Sequence, residues 1–347
     1  MKSRLKNVSF EFHRNVIINL FKRYLTSNRL MRPLSTSFFI TLKCNLKCSY
    51  CNKLNQGYPE LNTNQIFSLL EKIRPHNPGL YITGGEPLIR KDIKEILLKA
   101  VELKFKPLWL ITNAYNLHNN IDCLEYLDYL IVSLDSLNLE KWDKILGVKN
   151  ASTKIIQNIK LAASLQEKYN FLMVANNLIN SELIDDAYNV IDFCNENNIY
   201  IAPQPIDSWM DETENLPGNK SFIKLINEIK AMKKNGSKNF IVTNLFLDSI
   251  LNSKLPNCYP TMNPRIYPDG SVFYPCIARD KVYGNLFDYD SLHQLMLEAY
   301  RKEGLPECTL DPKLCTRNCI VEINHFIDRP FCYLKDCIDN MELKFKH

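Results

Sequence analysis

The stretch Thr36–Cys51, with the sequence TSFFITLKCNLKCSYC, joins a strand-like segment to a loop that carries three cysteines. Its first part, TSFFITL over 36–42, is apolar, aromatic and β-branched, which predicts a buried β-strand. Cys44, Cys48 and Cys51 follow directly. Three thiolates spaced four and three positions apart can bind one face of an iron–sulfur cubane from a single loop. A closed zinc site would need a fourth ligand from elsewhere in the chain.

The strand-like pattern recurs five more times, with amphipathic helical segments in between. Strands are expected at 36–42, 79–83, 108–112, 129–134, 171–175 and 199–204, and helices at 63–74, 90–104, 153–168, 181–197 and 219–234. This alternation predicts an α/β fold with a parallel sheet and right-handed crossovers. Six units are too few for a closed eight-fold barrel, so we expect a partial (β/α)6 TIM-like barrel. Ligands of such folds gather at the C-terminal ends of the strands.

Polar motifs follow the ends of three of these strands. They are Gly84, Gly85 and Glu86 after the second strand, Asn113 after the third, and Ser133 and Asp135 after the fourth. Glycines let a ligand approach the backbone closely, and a carboxylate can accept hydrogen bonds from an ammonium group. Taken alone, each motif is equally compatible with ordinary turn chemistry at a strand end.

The spacing C-x3-C-x2-C, the aromatic Tyr50 before the third cysteine and the Gly-Gly-Glu-Pro motif together resemble the radical S-adenosylmethionine (SAM) superfamily. The resemblance implies a [4Fe–4S] cluster on Cys44, Cys48 and Cys51 with one iron open to SAM. It also implies a set of SAM-binding residues: Tyr50, Gly84, Gly85, Glu86, Asn113, Ser133 and Asp135. One departure is Leu146, which stands where the family often has an arginine that pairs with the SAM carboxylate; Lys144 is a neighbouring cation.

The resemblance further implies the chemistry. An electron donor such as ferredoxin or flavodoxin reduces the cluster. Reductive cleavage of SAM then gives a 5′-deoxyadenosyl radical that takes hydrogen from the substrate, as in an oxidoreductase or transferase. After the sixth strand, Gln204, Asp207 and Trp209 are candidate substrate contacts, with a plain connecting loop as the alternative.

Seven of the twelve cysteines lie in the last ninety residues: Cys258, Cys276, Cys308, Cys315, Cys319, Cys332 and Cys337. Together with a predicted hairpin at 267–276 they resemble the SPASM domain of many radical SAM enzymes. The resemblance implies one or two auxiliary [4Fe–4S] clusters. The first cluster would be bound by Cys258, Cys276 and Cys319. The second would be bound by Cys308, Cys315, Cys332 and Cys337. The family's closely spaced cysteine pair is missing, so one cluster, alone or with zinc, stays an alternative. Cys123 and Cys194 are expected to be buried apolar residues.

The 347 residues divide into a basic amphipathic segment (1–33), the barrel (34–235), a linker (236–254) and a cysteine-rich, loop-rich domain (255–347). With 46% hydrophobic and 23% charged residues, the chain can bury a sizeable core and need not be disordered. A signal peptide and a membrane-spanning helix are not expected. The net charge of +5 does not suggest nucleic acid. We expect a cytoplasmic protein, with peripheral membrane contact as an alternative.

Residues 1–33 hold eight basic residues and one acidic residue. A basic amphipathic helix of this kind lies either on an anionic membrane or partner, or on its own domain.

Three functions follow from the whole pattern. The first is radical modification of a peptide or protein side chain, the second is modification of a lipid or isoprenoid at the membrane surface, and the third is a non-enzymatic electron carrier or zinc module. Glu86 argues against the third, because an electron carrier needs no SAM pocket.

Overall fold

The computed structural model describes residues 9–26, 30–51, 57–206, 216–237, 239–276, 281–305 and 318–342, with the backbone alone at 318–320 and 338–342. Six parallel strands lie side by side in chain order. They are β1 (Ser35–Thr41), β2 (Gly79–Gly84), β3 (Leu108–Thr112), β4 (Tyr129–Ser133), β5 (Leu172–Ile179) and β6 (Tyr200–Pro205). The predicted α/β fold with a partial TIM-like barrel is confirmed.

Helices pack around this sheet. They are α1 (Phe10–Leu25), α2 (Thr63–Ile73), α3 (Ile93–Glu102), α4 (Leu139–Leu146), α5 (Ala151–Ser164), α6 (Gln166–Tyr169), α7 (Asp186–Glu196), α8 (Lys220–Lys234), α9 (Asn244–Asn252), α10 (Leu292–Glu303), α11 (Asn318–Asp328) and α12 (Pro330–Glu342). Local signals fix several of their ends. The Asn62 side chain and Gln65, for example, form a capping box at the start of α2.

The C-terminal segment continues the barrel's sheet. β7 (Arg265–Ile266) pairs in parallel with β1, and β8 (Ser271–Phe273) and β9 (Val282–Asn285) extend the sheet in antiparallel fashion. Gly270 lies at the hairpin turn with a φ of +87°, which favours glycine. The expected linker at 236–254 contains the packed helix α9, and the expected loop-rich region contains α10, α11 and α12. Leu295 of α10 belongs to the main core.

The two faces of the strands differ in how completely they are buried. Ile82, Leu110 and Leu130 point toward the helices and are fully buried. The alternate residues, such as Trp109 and Ile131, point inward and remain partly exposed. A closed barrel fills its interior with layers of side chains. This partial barrel instead encloses a cavity of about 520 Å³.

Helix α1 docks on its own domain through one face. The buried Asn15 side chain donates to the backbone oxygens of Pro33 and His76, each at 2.9 Å. Phe12 packs with its helical neighbours against a small core under β1. The opposite face leaves four large apolar side chains exposed: Phe10, Ile17, Phe21 and Leu25. Among the described residues, none of the helices is long and apolar enough to cross a bilayer.

Candidate functional site

The cysteine loop follows β1 at the C-terminal edge of the sheet and is fixed by the end of α4. The backbone N–H groups of Lys47 and Ser49 donate to the carbonyl oxygens of Leu146 and Ile145 at 3.0 and 2.9 Å. Leu46 is buried in the main core between the first two cysteines. The last carbonyls of a helix have no partner within the helix. In this chain two of them therefore hold the loop that carries Cys44, Cys48 and Cys51.

The two glycines after β2 allow a second close contact with this loop. The Gly85 N–H donates to the Thr41 carbonyl at 2.8 Å, and the Glu86 N–H donates to the Lys43 carbonyl at 2.9 Å. A Cβ atom on Gly85 would lie 2.3 Å from the Lys43 oxygen, and one on Gly84 would lie 2.2 Å from the Thr41 oxygen. Glycine is required here because the chain's own backbone, rather than only a ligand, comes this close.

The Glu86 carboxylate links the ends of β2 and β3. It is fully buried and accepts hydrogen bonds from the Leu88 N–H (2.9 Å), the Thr112 hydroxyl (2.7 Å) and the Asn113 N–H (2.6 Å). Burial raises its pKa to about 7, although these donors act in the opposite direction. The Asn113 side chain also lies 3.6 Å from the Cys44 sulfur. Glu86 therefore positions the backbone that borders the cysteine loop.

Tyr50 and Asp135 form one unit across the site. The Tyr50 hydroxyl donates to the Asp135 carboxylate at 2.6 Å, and the Leu178 N–H donates to the other oxygen at 2.9 Å. Burial raises the pKa of Asp135 to about 6 and that of Tyr50 well above its usual value. Ser133 lies at the end of β4, in register with Asn176 of β5, and is partly exposed. The two residues that the sequence places on separate segments thus meet beside the cysteines.

The donor set fits a cluster with one thiolate on each of three irons. Cys44, Cys48 and Cys51 are reduced and partly exposed, and all three lie on one loop. Burial and the nearby Asp135 carboxylate raise the pKa of Cys48 to about 12, so its thiol proton has to leave when a metal binds. Within the described part of the chain, no three His, Cys, Asp or Glu side chains converge on a single metal ion. A cubane does not need such convergence, because its ligands bind different irons.

The other predicted site residues fall into three groups. Gln204 lines the barrel cavity, whereas Asp207 and Trp209 lie outside the described residues. Four auxiliary cysteines are described, namely Cys258, Cys276, Cys332 and Cys337, and no three of them are brought together. Cys308, Cys315 and the side chain of Cys319 lie outside the described residues. Cys123 and Cys194 are buried, as predicted.

Two features of the site lack a signal that we recognised in the sequence. One is the pair of carbonyls of Ile145 and Leu146, which accept hydrogen bonds from the cysteine loop. Leu146 is the residue that stands where the family often has an arginine, and the neighbouring Lys144 is exposed. The other is a row of aromatic rings on the cavity wall that contains Trp109. The period-two pattern of β3 could have indicated that Trp109 points inward, away from the helices.

Comparisons with known proteins agree with this geometry. Residues 38–191 match the family model described as the radical SAM superfamily. A Methanocaldococcus jannaschii protein named "Probable GTP 3',8-cyclase" is 30% identical over 264 residues, which cover 70% of this chain and 84% of that protein. A Synechocystis protein named "GTP 3',8-cyclase" is 32% identical over 181 residues, which cover 48% of this chain and 51% of that protein. The chain thus matches about half the length of the Synechocystis relative.

The fold has a counterpart among solved structures. Streptococcus suis SuiB, solved bound to its precursor peptide SuiA, superposes with a TM-score of 0.63 at 18% identity. The superposition covers 91% of this chain and 77% of SuiB. At this identity the likeness concerns the fold alone, whereas the archaeal relative carries the family assignment. On the basis of that relative, the matched family model and the cysteine loop, the chain belongs to the radical SAM superfamily.

Proposed function

We propose that this radical SAM enzyme abstracts hydrogen from a side chain of a peptide or protein, with its [4Fe–4S] cluster on Cys44, Cys48 and Cys51. The observation that carries the proposal is the placement of the cysteine loop at the C-terminal edge of a hollow barrel. When bound, the cluster and SAM supply the superfamily's chemistry, which is reductive cleavage of SAM and hydrogen abstraction by the resulting radical. The protein's task is to bind and orient SAM and the substrate, and to exclude water from the site.

The residues around the loop suit that task. In the proposal, Asn113, Ser133 and the Tyr50–Asp135 pair contact SAM, while Gly84, Gly85 and Glu86 keep the β2 edge against the cysteine loop. Gln204 contacts the substrate from the end of β6. Because Tyr50 is already hydrogen-bonded to Asp135, SAM would meet a fixed pair rather than two mobile side chains.

A peptide substrate is favoured over a nucleotide by the charge of the cavity. SuiB was solved with a peptide, whereas the Methanocaldococcus jannaschii relative bears the name "Probable GTP 3',8-cyclase". A nucleoside triphosphate carries several negative charges, and sites that bind one use several cationic groups. Arg265 is the single Lys or Arg among the described residues that line the cavity. A largely neutral cavity is better suited to an uncharged side chain.

A lipid or isoprenoid substrate is the second candidate, and the exposed face of α1 favours it. Phe10 is 84% exposed and Leu25 is 70% exposed, on a segment with eight basic residues. Such a face suits the surface of an anionic membrane. Flotation with vesicles containing phosphatidylserine tests this candidate directly. Binding that disappears on deleting residues 1–33 would favour it, and no binding by the full chain would count against it.

The C-terminal cysteines are proposed to hold one or two auxiliary clusters, and ferredoxin or flavodoxin to supply electrons. Anaerobic reconstitution followed by iron analysis tests the clusters. About 8 to 12 irons per chain would support them, and about 4 would leave the SAM cluster alone. We place the enzyme in the cytoplasm, where thiols stay reduced and available for metal.

The decisive experiment for the function measures 5′-deoxyadenosine. The reconstituted full chain, reduced with dithionite, is incubated with SAM and either a peptide mixture or GTP. Formation of 5′-deoxyadenosine that rises with peptides, with a mass change of −2 in a peptide or another new product, supports the proposal. If 5′-deoxyadenosine formation rises with GTP and not with peptides, the substrate would be a purine nucleotide rather than a peptide. No 5′-deoxyadenosine under any condition would contradict SAM cleavage itself.

A further inference from the structure

Three aromatic side chains form a row on the inner wall of the barrel, which we call the aromatic ladder: Tyr81, Trp109 and Tyr129. They are register partners on β2, β3 and β4. The Tyr81 and Trp109 rings stack with centroids 4.1 Å apart and planes 7° apart, and Trp109 and Tyr129 lie 5.7 Å apart at 22°. Gly79 leaves room for the Trp109 ring, because a Cβ there would lie 2.8 Å from it. The ladder is therefore a fixed surface.

The ladder lies at one level of a layered cavity. Two residues further along the strands, the inward side chains are aliphatic on β3, β4 and β5, namely Ile111, Ile131 and Val174. On β2 the corresponding residue is Thr83. Another two residues on, they are polar and include Asn113 and Ser133, beside the cysteine loop. A group that enters from the cysteine loop therefore passes a polar layer, then an aliphatic layer, and ends at aromatic rings.

The inward position of the ladder is more than core packing. Trp109, Ile111 and Ile131 remain partly exposed, although their neighbours under the helices are fully buried. The exposed surface borders the 520 Å³ cavity, whose size is that of a small-ligand site. The partly exposed Trp109 surface can therefore make dispersion contacts with a group bound in the cavity.

The charge of the cavity narrows what that group can be. Among the described lining residues, Arg265 and Glu322 are the charged ones. The Arg265 guanidinium donates to the Ser37 hydroxyl at 2.6 Å, and Glu322 accepts from the Thr243 N–H at 2.7 Å. Both side chains are hydrogen-bonded within the protein, so the described lining presents little charge to a ligand. An uncharged group fits this lining better than a phosphate chain or a cation.

The orientation of the rings further restricts the chemical class of the group that can bind in the cavity. Trp109 has a ring on each side, so the part of it that borders the cavity is its edge. Aromatic edges carry partial positive charge and attract the negative face of another ring. We propose that the aromatic ladder forms one wall of the substrate pocket and selects an aromatic side chain of the peptide. This inference rests on the proposed peptide substrate and names its chemical class.

Ligand-observed NMR on the reconstituted full chain with SAM and without reductant tests this selection. The probes are N-acetyl-phenylalaninamide, N-acetyl-leucinamide and GTP. We expect the wild type to bind the phenylalanine probe roughly two- to tenfold more tightly than the leucine probe. Trp109→Leu should bring that ratio close to one, whereas Trp109→Phe should preserve most of it. Cys194→Ala, a buried substitution outside the described cavity lining, should leave the ratio unchanged.

Two results would overturn the inference: equal binding of both amides by the wild type, or an unchanged ratio in Trp109→Leu. The inference would also be overturned if the wild type bound GTP more tightly than either amide and Arg265→Gln lost that binding. Should Trp109→Leu fail to fold, Tyr81→Leu removes the neighbouring ring of the same ladder and gives the same readout. No SAM is cleaved in this experiment, so it can fail while 5′-deoxyadenosine still forms with peptides. That combination would contradict the ladder's role and leave the proposed function standing.

Discussion

The three cysteines of the barrel share one loop that is fixed from two sides, whereas the four described C-terminal cysteines are spread over three parts of the chain. The loop receives hydrogen bonds from β2 and gives hydrogen bonds to the end of α4. By contrast, Cys258 precedes β7, Cys276 follows β8, and Cys332 and Cys337 lie on α12. A single loop preorganises its ligands before metal arrives. If the C-terminal cysteines bind the proposed auxiliary clusters, their positions depend on how these separate parts of the chain pack, and metal binding would stabilise that packing.

The largest expected difference between the two regions is in SAM cleavage. Cys48→Ala removes a ligand from the preorganised loop, so 5′-deoxyadenosine formation should fall on the order of a thousandfold. Cys332→Ala should lower the iron content but leave the reduced SAM cluster detectable by electron paramagnetic resonance. Cys194→Ala, at a buried site away from both regions, is the matched control. Equal loss of the SAM cluster in Cys332→Ala would mean that the regions are not separable.

A smaller but clear effect is expected from the contact between β2 and the loop. Gly85→Ala places a Cβ 2.3 Å from the Lys43 oxygen, and forced backbone shifts of this kind cost about 1–3 kcal/mol. We expect a lower melting temperature and reduced iron in the SAM cluster. Gly236→Ala is the control, because nothing lies within 4 Å of its Cβ, although its φ of +94° adds some strain. A cluster that loads normally in Gly85→Ala would show that the loop tolerates displacement.

The fold was largely predictable because its signals are local. Strand β3 has the predicted bounds, and α2 differs by one residue at its end, since hydrophobic period and caps lie within each element. Strand β5 is longer than predicted. Asn176 and Asn177 resemble a polar strand end, yet they pair with β6, and the Asn177 side chain donates to the Leu134 carbonyl at 3.0 Å. Pairing with a neighbour overrode the local polarity.

The site was predictable only where its residues are close in sequence. The cysteine spacing and the Gly-Gly-Glu motif identified the loop and the β2 edge. The Tyr50–Asp135 hydrogen bond joins residues 85 positions apart, and no local pattern indicates such a pair. The cavity could not be predicted either, because a tryptophan that faces a cavity and a tryptophan that is packed in a filled core give the same sequence pattern. Long-range contacts are set by how whole elements pack, which short motifs do not contain.

In the C-terminal region, the contact between α12 and α9 tests docking without touching the SAM cluster. The Asp336 carboxylate accepts from the Asn244 and Leu245 N–H groups at the start of α9, and from the Asn244 side chain at 2.8 Å. Asp336→Asn should cost about 1–2 kcal/mol in the free energy of unfolding, as does the loss of a helix cap. Urea denaturation measures this cost. 5′-Deoxyadenosine formed without substrate should be unchanged, and a large drop would couple the two regions.

In the wild type the smallest expected effect is the pH dependence of stability, because two groups on α11 have opposing effects; single variants are expected to reveal each effect. Burial lowers the pKa of His325 to about 4, so His325 stays neutral in the fold, where it lies 2.8 Å from the Ser249 hydroxyl. Its contribution to stability is lost as the pH falls from about 6.5 to 4. Burial raises the pKa of Glu322 to about 7, so its contribution is lost as the pH rises from about 4.5 to 7.

Between about pH 4.5 and 6.5 the two slopes oppose each other, so the unfolding free energy of the wild type should change little. Glu322→Gln removes one slope, and stability should then rise with pH over this range by roughly 1–3 kcal/mol. His325→Asn removes the other, and stability should fall with pH by a similar amount. Urea denaturation at several pH values measures both slopes. Parallel pH profiles in the two variants would show that neither group titrates as its burial predicts. Opposite profiles would identify α11 as an element whose contribution to stability depends on pH.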